Sequence, residues 1–352
     1  METDVIIVGA GLSGLNLAHQ LSLQGTSFHL LEARGRVGGR ILSTPSGDAF
    51  YDMGPAWFWQ GQPRIAALIK KVSLQVFEQF AKGDLSFEDQ NGAVQRGRGF
   101  PSIIGSYRIN GGFASLIQAL LHSLPPQSVT MQTTVTNIVQ RKDGVQVNTN
   151  GQTYFAKHIV FALPPRIISA TITFDPPLKP SLQNSLSNVP TWMATQAKAI
   201  AVYDSPFWRD EGLSGGASSR FGPMVEMHDA SPTTGRSFAI FGFIGVLPES
   251  RKDEITLRSA LIQQLGRLFG PKATKPRELI VKDWAYDLFT STDEDLKPLY
   301  THPTYRQILP EWQNKIHFSG TEVAPKFGGY LEGALEAAEN TAEALRATFN
   351  QV

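Results

Sequence analysis

The 352-residue sequence predicts a mixed α/β fold, and three observations carry that reading. Within the first fifty residues a short apolar run, a helical apolar repeat and a second apolar run follow one another. That is the pattern of a βαβ unit with buried parallel strands. Residues 129–156 read as short alternating runs split by Asp143-Gly144 and Asn150-Gly151, both strong hairpin signals. From Pro164 to about Lys282 the composition shifts to a block punctuated by prolines at 164, 165, 176, 177, 180, 190 and 206. Such a block marks a second layer inserted between two parts of the first domain. At about 150 residues per domain, the length accommodates both.

In chain order, residues 5–8 form the first buried strand. Leu12, Leu15, Leu17, Ala18 and Leu21 give a helix ending near Gly25, and Phe28–Leu31 is the next strand, closed by Glu32. Ile65, Leu68, Ile69 and Val72 repeat at helical spacing after Pro63. Residues 82–112 are polar and Gly-rich without a sustained period and read as connecting loop. Phe113, Leu116, Ile117, Leu120 and Leu121 mark an amphipathic helix entered through Asn110-Gly-Gly. The meander occupies residues 129–131, 135–140, 145–149 and 152–156, and a buried strand follows at 159–162. The inserted block holds strands near 197–203 and 237–244 and a helix near 254–269. A final helix buries Leu331, Ala334, Leu335, Ala338, Ala342 and Leu345, with Glu332, Glu336, Glu339 and Glu343 expected on its solvent side.

Composition excludes several classes of function. Lys and Arg total 32 against 31 for Asp and Glu, a net charge of +1, so the dense basic face that nucleic-acid binding needs is missing. Charged residues are 18% of the chain while Phe alone counts 21, which suits a large core with apolar cavities. With no cysteine, disulfides, thiolate metal sites, a catalytic thiol and a sulfur-tethered cofactor are excluded. The seven histidines show no close pairing, so no metal site is expected. Met-Glu-Thr-Asp runs into the first strand without a signal-peptide pattern, and no apolar stretch approaches a membrane span, so a soluble cytoplasmic protein is expected.

The most informative motif is Gly9-Ala-Gly11-Leu12-Ser13-Gly14, a G-x-G-x-x-G that follows a strand and opens a helix. Gly9 allows the tight turn, Gly11 lets backbone approach a pyrophosphate at the helix N-terminus, and Gly14 permits close packing. Glu32, 21 residues after Gly11, stands where a carboxylate accepts both ribose hydroxyls and repels a 2′-phosphate. The combination predicts a Rossmann-like dinucleotide-binding domain. Glu32-Ala33-Arg34 leads directly into Gly38-Gly39-Arg40, a pattern suited to a second phosphate-proximal loop, although residues 34–40 alone also fit a surface loop. Near the end, Phe318-Ser-Gly320-Thr-Glu322 precedes Gly328-Gly329-Tyr330-Leu331, which delivers the chain to the N-terminus of the last helix. Gly212-Leu-Ser214-Gly-Gly216 fits the hydrolase G-x-S-x-G formula but lacks the buried strand before it and the helix after it. No second G-x-G-x-x-G is present, which disfavours an enzyme that also docks NADPH.

Taken together, these segments resemble the flavin-dependent amine oxidases, the monoamine and polyamine oxidases, in a short bacterial-type form. The resemblance implies FAD as cofactor, held by the two glycine-rich segments, Glu32 and Glu322, with the Leu331 N–H at the flavin pyrimidine edge. It likens Asp52-Met-Gly54-Pro55-Ala56-Trp57 to a further flavin contact, and places Val135 where the family holds the adenine. Lys198-Ala-Ile-Ala-Val-Tyr resembles the strand whose lysine holds a water against flavin N5, where a lysine opening a strand is otherwise commonplace. Asp283-Trp284-Ala-Tyr-Asp-Leu-Phe289 resembles the segment bearing one wall of the aromatic cage, with Phe289 in place of the usual tyrosine and Tyr330 as the opposite wall. Some monoamine oxidases attach FAD through a cysteine beside this tryptophan; Ala285 implies a non-covalent flavin.

By this resemblance an FAD-binding domain comprises residues 1–76, 108–165 and 284–352, and a substrate domain residues 77–107 and 166–283. The expected reaction is oxidation of the C–N bond of a primary or secondary amine to an imine, with O2 reoxidising the flavin to give H2O2. Gly54-Pro-Ala-Trp57 has no arginine where the L-amino acid oxidases clamp a carboxylate, which favours an amine without one unless another arginine serves. The alternatives are a flavin desaturase or protoporphyrinogen oxidase-like enzyme acting on C–C bonds, and a low-turnover FAD-binding interaction protein.

Overall fold

The apolar runs at either end of the chain converge on one eight-stranded sheet. In the computed structural model, which describes residues 2–100, 102–297, 299 and 301–350, Glu2–Val8 lies between Phe28–Leu31 and Thr153–Phe161, parallel to both. Val129–Thr130 extends the sheet beyond Phe28–Leu31, and Ile316–Phe318 pairs in parallel with residues 159–161. Thr153–Phe161 is continuous: its first half closes the antiparallel meander with Gly144–Thr149 and Val135–Arg141, and its second half is parallel core. Helices Leu12–Leu23, Pro63–Lys71, Ala114–His122 and Leu331–Phe349 share one core, in which Leu15, Leu17, Leu21 and Leu345 are fully buried. Each such side chain contributes roughly 1.5–3 kcal/mol. The parallel strands end at Val8, Leu31, Phe161 and Phe318, so the residues that follow them gather along one sheet edge, where open α/β sheets bind ligands.

A second sheet of seven strands has the order Glu278–Asp283, Ala197–Tyr203, Phe238–Ile244, Met224–Asp229, Leu213–Ser219, Asp84–Glu88 and Val94–Gly97. Alternation along Ala197–Tyr203 sorts its side chains. Ala197, Ala199, Ala201 and Tyr203 pack toward helix Glu254–Phe269, while Ile200 and Val202 join Tyr51, Met53 and Phe241 on the other face. Lys198 has the parity of Ile200 and therefore lies on that second face.

Two expectations are corrected here. Residues 82–112 are not a loop: they contribute Asp84–Glu88 and Val94–Gly97 to the second sheet, and Ser106–Ile109 to a small three-stranded one. The alternation was hidden because the inward positions carry polar residues. Glu88 is wholly buried, ion-paired to Arg267 and bonded by Ser219 Oγ at 2.6 Å. The last helix likewise does not face solvent with all four glutamates. Glu332 is buried and accepts the N–H groups of Arg64 and Ile65 at 3.0 and 2.9 Å, capping helix Pro63–Lys71, which has no side-chain cap of its own. Glu336 is also buried and accepts the Phe327 N–H. The Ser214 segment is a plain strand, Leu213–Ser219, and not a nucleophile elbow. Among the described residues no helix is long and apolar enough to cross a membrane, and no cluster of His, Asp and Glu is arranged to hold a metal ion.

Candidate active site

A cavity of about 460 Å³ runs along the sheet edge and under the second sheet. Its size is typical of ligand sites, and it is lined by nearly every residue the sequence singled out. At one end the Gly9–Gly14 turn follows the first strand. Gly9 has φ +103°, and an added Cβ would fall 2.7 Å from Leu163 Cδ2 and 2.8 Å from the Ala162 carbonyl oxygen. A Cβ on Gly14 would fall 2.0 Å from the Gly9 carbonyl oxygen, so any side chain there drives the helix off the strand. Gly11 differs, because nothing lies within 4 Å of the position a Cβ would take, and its backbone stands open at the helix N-terminus. Leu12 and Ser13 form the first turn, and Ser13 Oγ bonds the Ser319 carbonyl, tying the two ends of the chain together. Gly38 (φ +101°) donates to the Ala10 carbonyl at 2.7 Å and bridges to Gly11, which brings Gly39 and Arg40 beside the first turn.

Glu32 is buried and accepts the N–H of Ala10 at 2.8 Å and that of Arg34 at 2.9 Å, so its carboxylate is fixed at the end of its strand. Ala33 lines the cavity beside it, and Val135 lies with Thr133 and Thr134 on the facing wall. Arg34 turns its guanidinium to Asp287 and to Thr290 Oγ1, with its charge 5.1 Å from the centre of the Phe289 ring. Phe289 and Tyr330, the two expected walls of the aromatic cage, both line the cavity, and each ring has a further neighbour. Phe289 lies beside the Arg34 guanidinium, and Tyr330 stacks face-on against His302, with centroids 5.0 Å apart and planes 8° apart. Asp287, held below the usual carboxylate range by Arg34 and Lys282 against the opposing effect of burial, anchors Arg34 and so supplies a cation to the nearby ring.

Midway, Arg40 Nη2 lies 2.7 Å from Glu322 Oε1, yet off the line of its N–H bonds, so neither Glu322 oxygen accepts a hydrogen bond from any of the described residues. Glu322 is wholly buried, and a buried carboxylate without donors calls for a ligand that brings them. Gly320 lies next to it, where a Cβ would meet the Leu163 carbonyl at 2.6 Å. Gly329 (φ +84°) and Tyr330 lead into Leu331, the first residue of the last helix, whose opening N–H groups border the cavity.

The far end is built by the second sheet. Lys198 is 5% exposed, and its Nζ donates to the Gly54 carbonyl within a box of aromatic faces. Nζ lies 5.7 Å from the Trp57 ring centre, 4.8 Å from Phe241 and 5.1 Å from Phe243. Burial pushes the ammonium down to about 7, opposed by the nearby Asp52 carboxylate. Gly54 is packed so closely that a Cβ would sit 1.9 Å from the Arg40 carbonyl oxygen, which fixes Gly54-Pro55-Ala56-Trp57 against the phosphate-side loop. The Trp57 Nε1–H donates to Gln79 and the Trp284 Nε1–H to the Met53 carbonyl, at 2.7 and 2.9 Å.

The structure adds residues to this end that sequence reasoning did not single out: Phe243, Glu226, Ser102, Trp192 and Gln196 all line the cavity. Phe243 and Glu226 share a sheet face with Lys198, but only the strand pairing shows it, and no motif marks that pairing. The fit to FAD is good. An open glycine turn and a fixed carboxylate suit the adenosine and pyrophosphate, a donor-free carboxylate suits a polyhydroxyl chain, and an open helix terminus suits the pyrimidine edge.

Comparison with known proteins agrees with this geometry. Residues 12–102 and 99–346 match the sequence profile described as flavin containing amine oxidoreductase. A probable flavin-containing monoamine oxidase A of Dictyostelium discoideum is 26% identical, the alignment covering 95% of each chain. An L-amino acid dehydrogenase of Synechocystis is 25% identical over 97% of this chain and 94% of its own. Among solved structures, a putrescine oxidase bound to putrescine superposes with a TM-score of 0.84 at 20% identity, covering 99% of both chains. FAD is the cofactor, and with no cysteine in the chain it has no thioether link to the protein. The chain belongs to the flavin containing amine oxidoreductase family and is an FAD-dependent amine oxidase.

Proposed function

We propose that this enzyme oxidises the C–N bond of a primary or secondary amine lacking an α-carboxylate, and that O2 takes up the electrons and leaves as H2O2. The observation that carries the substrate reading is the distribution of arginines. Among the described residues the arginines lining the cavity are Arg34 and Arg40, and they are committed to Asp287 and Glu322. Arg108, the nearest further candidate, is buried with its guanidinium on the carbonyls of Ala230 and Ser231. No guanidinium is therefore left for a substrate carboxylate among the described residues at the Lys198 end.

Bound FAD supplies the two-electron acceptor. The protein's residues hold and orient. Glu32 and the open Gly11 peptide would hold the adenosine and pyrophosphate, and Glu322 would take hydroxyl donors. The helix opening at Leu331 offers N–H groups where negative charge gathers on reduction. Trp57, Phe243 and Tyr330 present apolar and π surface that excludes water and favours the neutral amine, whose lone pair is needed for C–H cleavage. Lys198, at about 7, can hold a water as donor or acceptor near neutral pH and so assist proton transfer during reoxidation. The overall change is amine plus O2 and water to carbonyl compound, amine or ammonia, and H2O2.

Anaerobic mixing of the yellow holoenzyme with a panel of primary and secondary amines tests this. Bleaching of the flavin, followed by stoichiometric peroxide on admitting air, is the expected result. Bleaching by a polyene or porphyrinogen alone would overturn it, and bleaching without peroxide would overturn the assignment of O2.

A further inference from the structure

Three carboxylates line the cavity, and two are accounted for: Glu32 at the ribose end and Glu322 opposite Arg40. The third is Glu226, on strand Met224–Asp229 of the second sheet. Register places it with care. Lys198 pairs with Phe243 on the adjacent strand, and Phe243 pairs in turn with Glu226 on the next. Directly paired residues project to the same face, and all three line the cavity. Glu226 is thus two interstrand spacings from Lys198, roughly 10 Å across an aromatic floor made by Phe243.

The carboxylate is set up to remain charged and to receive a cation. His228 Nε2 lies 2.8 Å from Oε1, and the Ser102 hydroxyl donates to the same oxygen. Among the described residues neither bond engages Oε2. The His228 hydrogen bond is the main influence holding Glu226 below the usual carboxylate range. His228 itself is buried, edge-on to Trp57 at 5.6 Å, so the position of Glu226 is tied to the aromatic box around Lys198. Ser102 and Ile103 also line the cavity, so Glu226 sits where these two residues meet it. A half-buried carboxylate facing an otherwise apolar chamber is unfavourable for an apolar monoamine, which would leave it desolvated and unpaired.

We propose that Glu226 is a specificity residue that binds a second, protonated nitrogen of the substrate, so that the preferred substrates of this amine oxidase are diamines or polyamines with a short apolar spacer. The reacting nitrogen lies at the Lys198 end and is neutral. The distal nitrogen stays charged and pairs with Oε2, while the methylene spacer crosses Phe243. This rests on the reading of the protein as an oxidase of amines without a carboxylate and adds the charge requirement.

The experiment compares the holoenzyme and Glu226→Gln with putrescine and n-butylamine, which share a four-carbon chain and differ in the distal nitrogen. Flavin reduction under anaerobic conditions and steady-state kcat/KM are both read. The wild type is expected to favour putrescine, and Glu226→Gln to lower kcat/KM for putrescine by about ten- to a hundredfold, chiefly through KM. Butylamine should be unaffected or improved, and Glu226→Asp should restore part of the putrescine preference. Equal loss with both amines, or no loss with putrescine, overturns the role of Glu226 while leaving amine oxidation intact. Flavin that neither amine nor any member of the wider panel reduces overturns the amine reading, and this proposal with it. Retained flavin absorbance and an unchanged melting temperature in Glu226→Gln show that the fold is preserved in the comparison.

Discussion

Lys198→Met removes a costly buried charge at the site and should stabilise the protein while disabling it. The lysine is 5% exposed, and burial takes its ammonium from 10.5 to about 7. At about 1.4 kcal/mol per pH unit, that gap sets a cost of about 5 kcal/mol on the charged form relative to the unfolded chain. The sign follows from proton binding. Between pH 7 and 10.5 the unfolded chain holds a proton that the folded chain has released, so wild-type stability rises with pH across that window. Below pH 7 the cost is present in full. Methionine has similar length and no charge, so it removes the cost, but the hydrogen bond to the Gly54 carbonyl is lost as well, worth about 1 kcal/mol. The net expectation is a variant more stable by about 2–4 kcal/mol at pH 7, with the advantage shrinking toward pH 10. Denaturant unfolding of FAD-saturated wild type and variant at pH 7 and 9.5 measures it, with stopped-flow flavin reduction and reoxidation as the functional readout. A variant equally or less stable at pH 7, or a stability difference that does not change with pH, would refute the argument. Unchanged rates in both half-reactions would remove Lys198 from the chemistry.

Three further outcomes are expected. Glu32→Ala leaves the Ala10 and Arg34 N–H groups unpaired and loses the ribose acceptor, so FAD should be lost on gel filtration; full retention would count against that role. Gly14→Ala, with a Cβ 2.0 Å from the Gly9 carbonyl oxygen, should cost more than about 3 kcal/mol in denaturant unfolding and release the cofactor, whereas a near-neutral effect would mean the turn is looser than its geometry. Phe289→Leu should weaken FAD retention slightly with kcat unchanged, while Tyr330→Leu should lower kcat/KM at least about tenfold. Similar kinetic losses in both variants would refute this separation of roles and favour the paired cage.

The cofactor end of the cavity was legible because its constraints are local. A turn that must admit no Cβ at Gly14, a carboxylate at a strand end and a glycine pair before a helix each leave their mark within a few residues. Glu226 left none. Whether a carboxylate on a strand faces solvent, a partner or a cavity is decided by pairing register, and a shift of one residue would turn it to the opposite face. The glutamates of the last helix show the same limit, since amphipathic spacing marks Glu332 and Glu336 as polar but cannot show that another helix needs an acceptor there. Phe289 shows its converse. Its segment matches a family pattern, which cannot show that the ring also meets Arg34, a residue held by Asp287 across 253 positions of sequence.

These long-range pairings explain why the substrate end is assembled as it is. The Lys198 ammonium is held in a place where burial alone would expel it, and the geometry that keeps it there is strand pairing on both sides: Ala197–Tyr203 lies between Phe238–Ile244 and Glu278–Asp283 along nearly its whole length. A strand paired on both sides yields less readily than an edge strand. The charged lysine therefore cannot relax toward solvent, and its cost appears as a lowered proton affinity. Glu226, two strands further along the sheet and half-buried, has its carboxylate held by two side chains, His228 and Ser102. On the proposed roles the division is functional: the group that would need a tuned proton affinity is fixed in the interior, and the group that would need only charge stays near solvent, where it can meet a cation at small desolvation cost. If that reasoning holds, Glu226→Gln should leave the pH dependence of flavin reoxidation unchanged, while Lys198→Met abolishes its titration near pH 7. A pH profile that moves with Glu226→Gln would show that the two groups titrate as one and that the division is wrong.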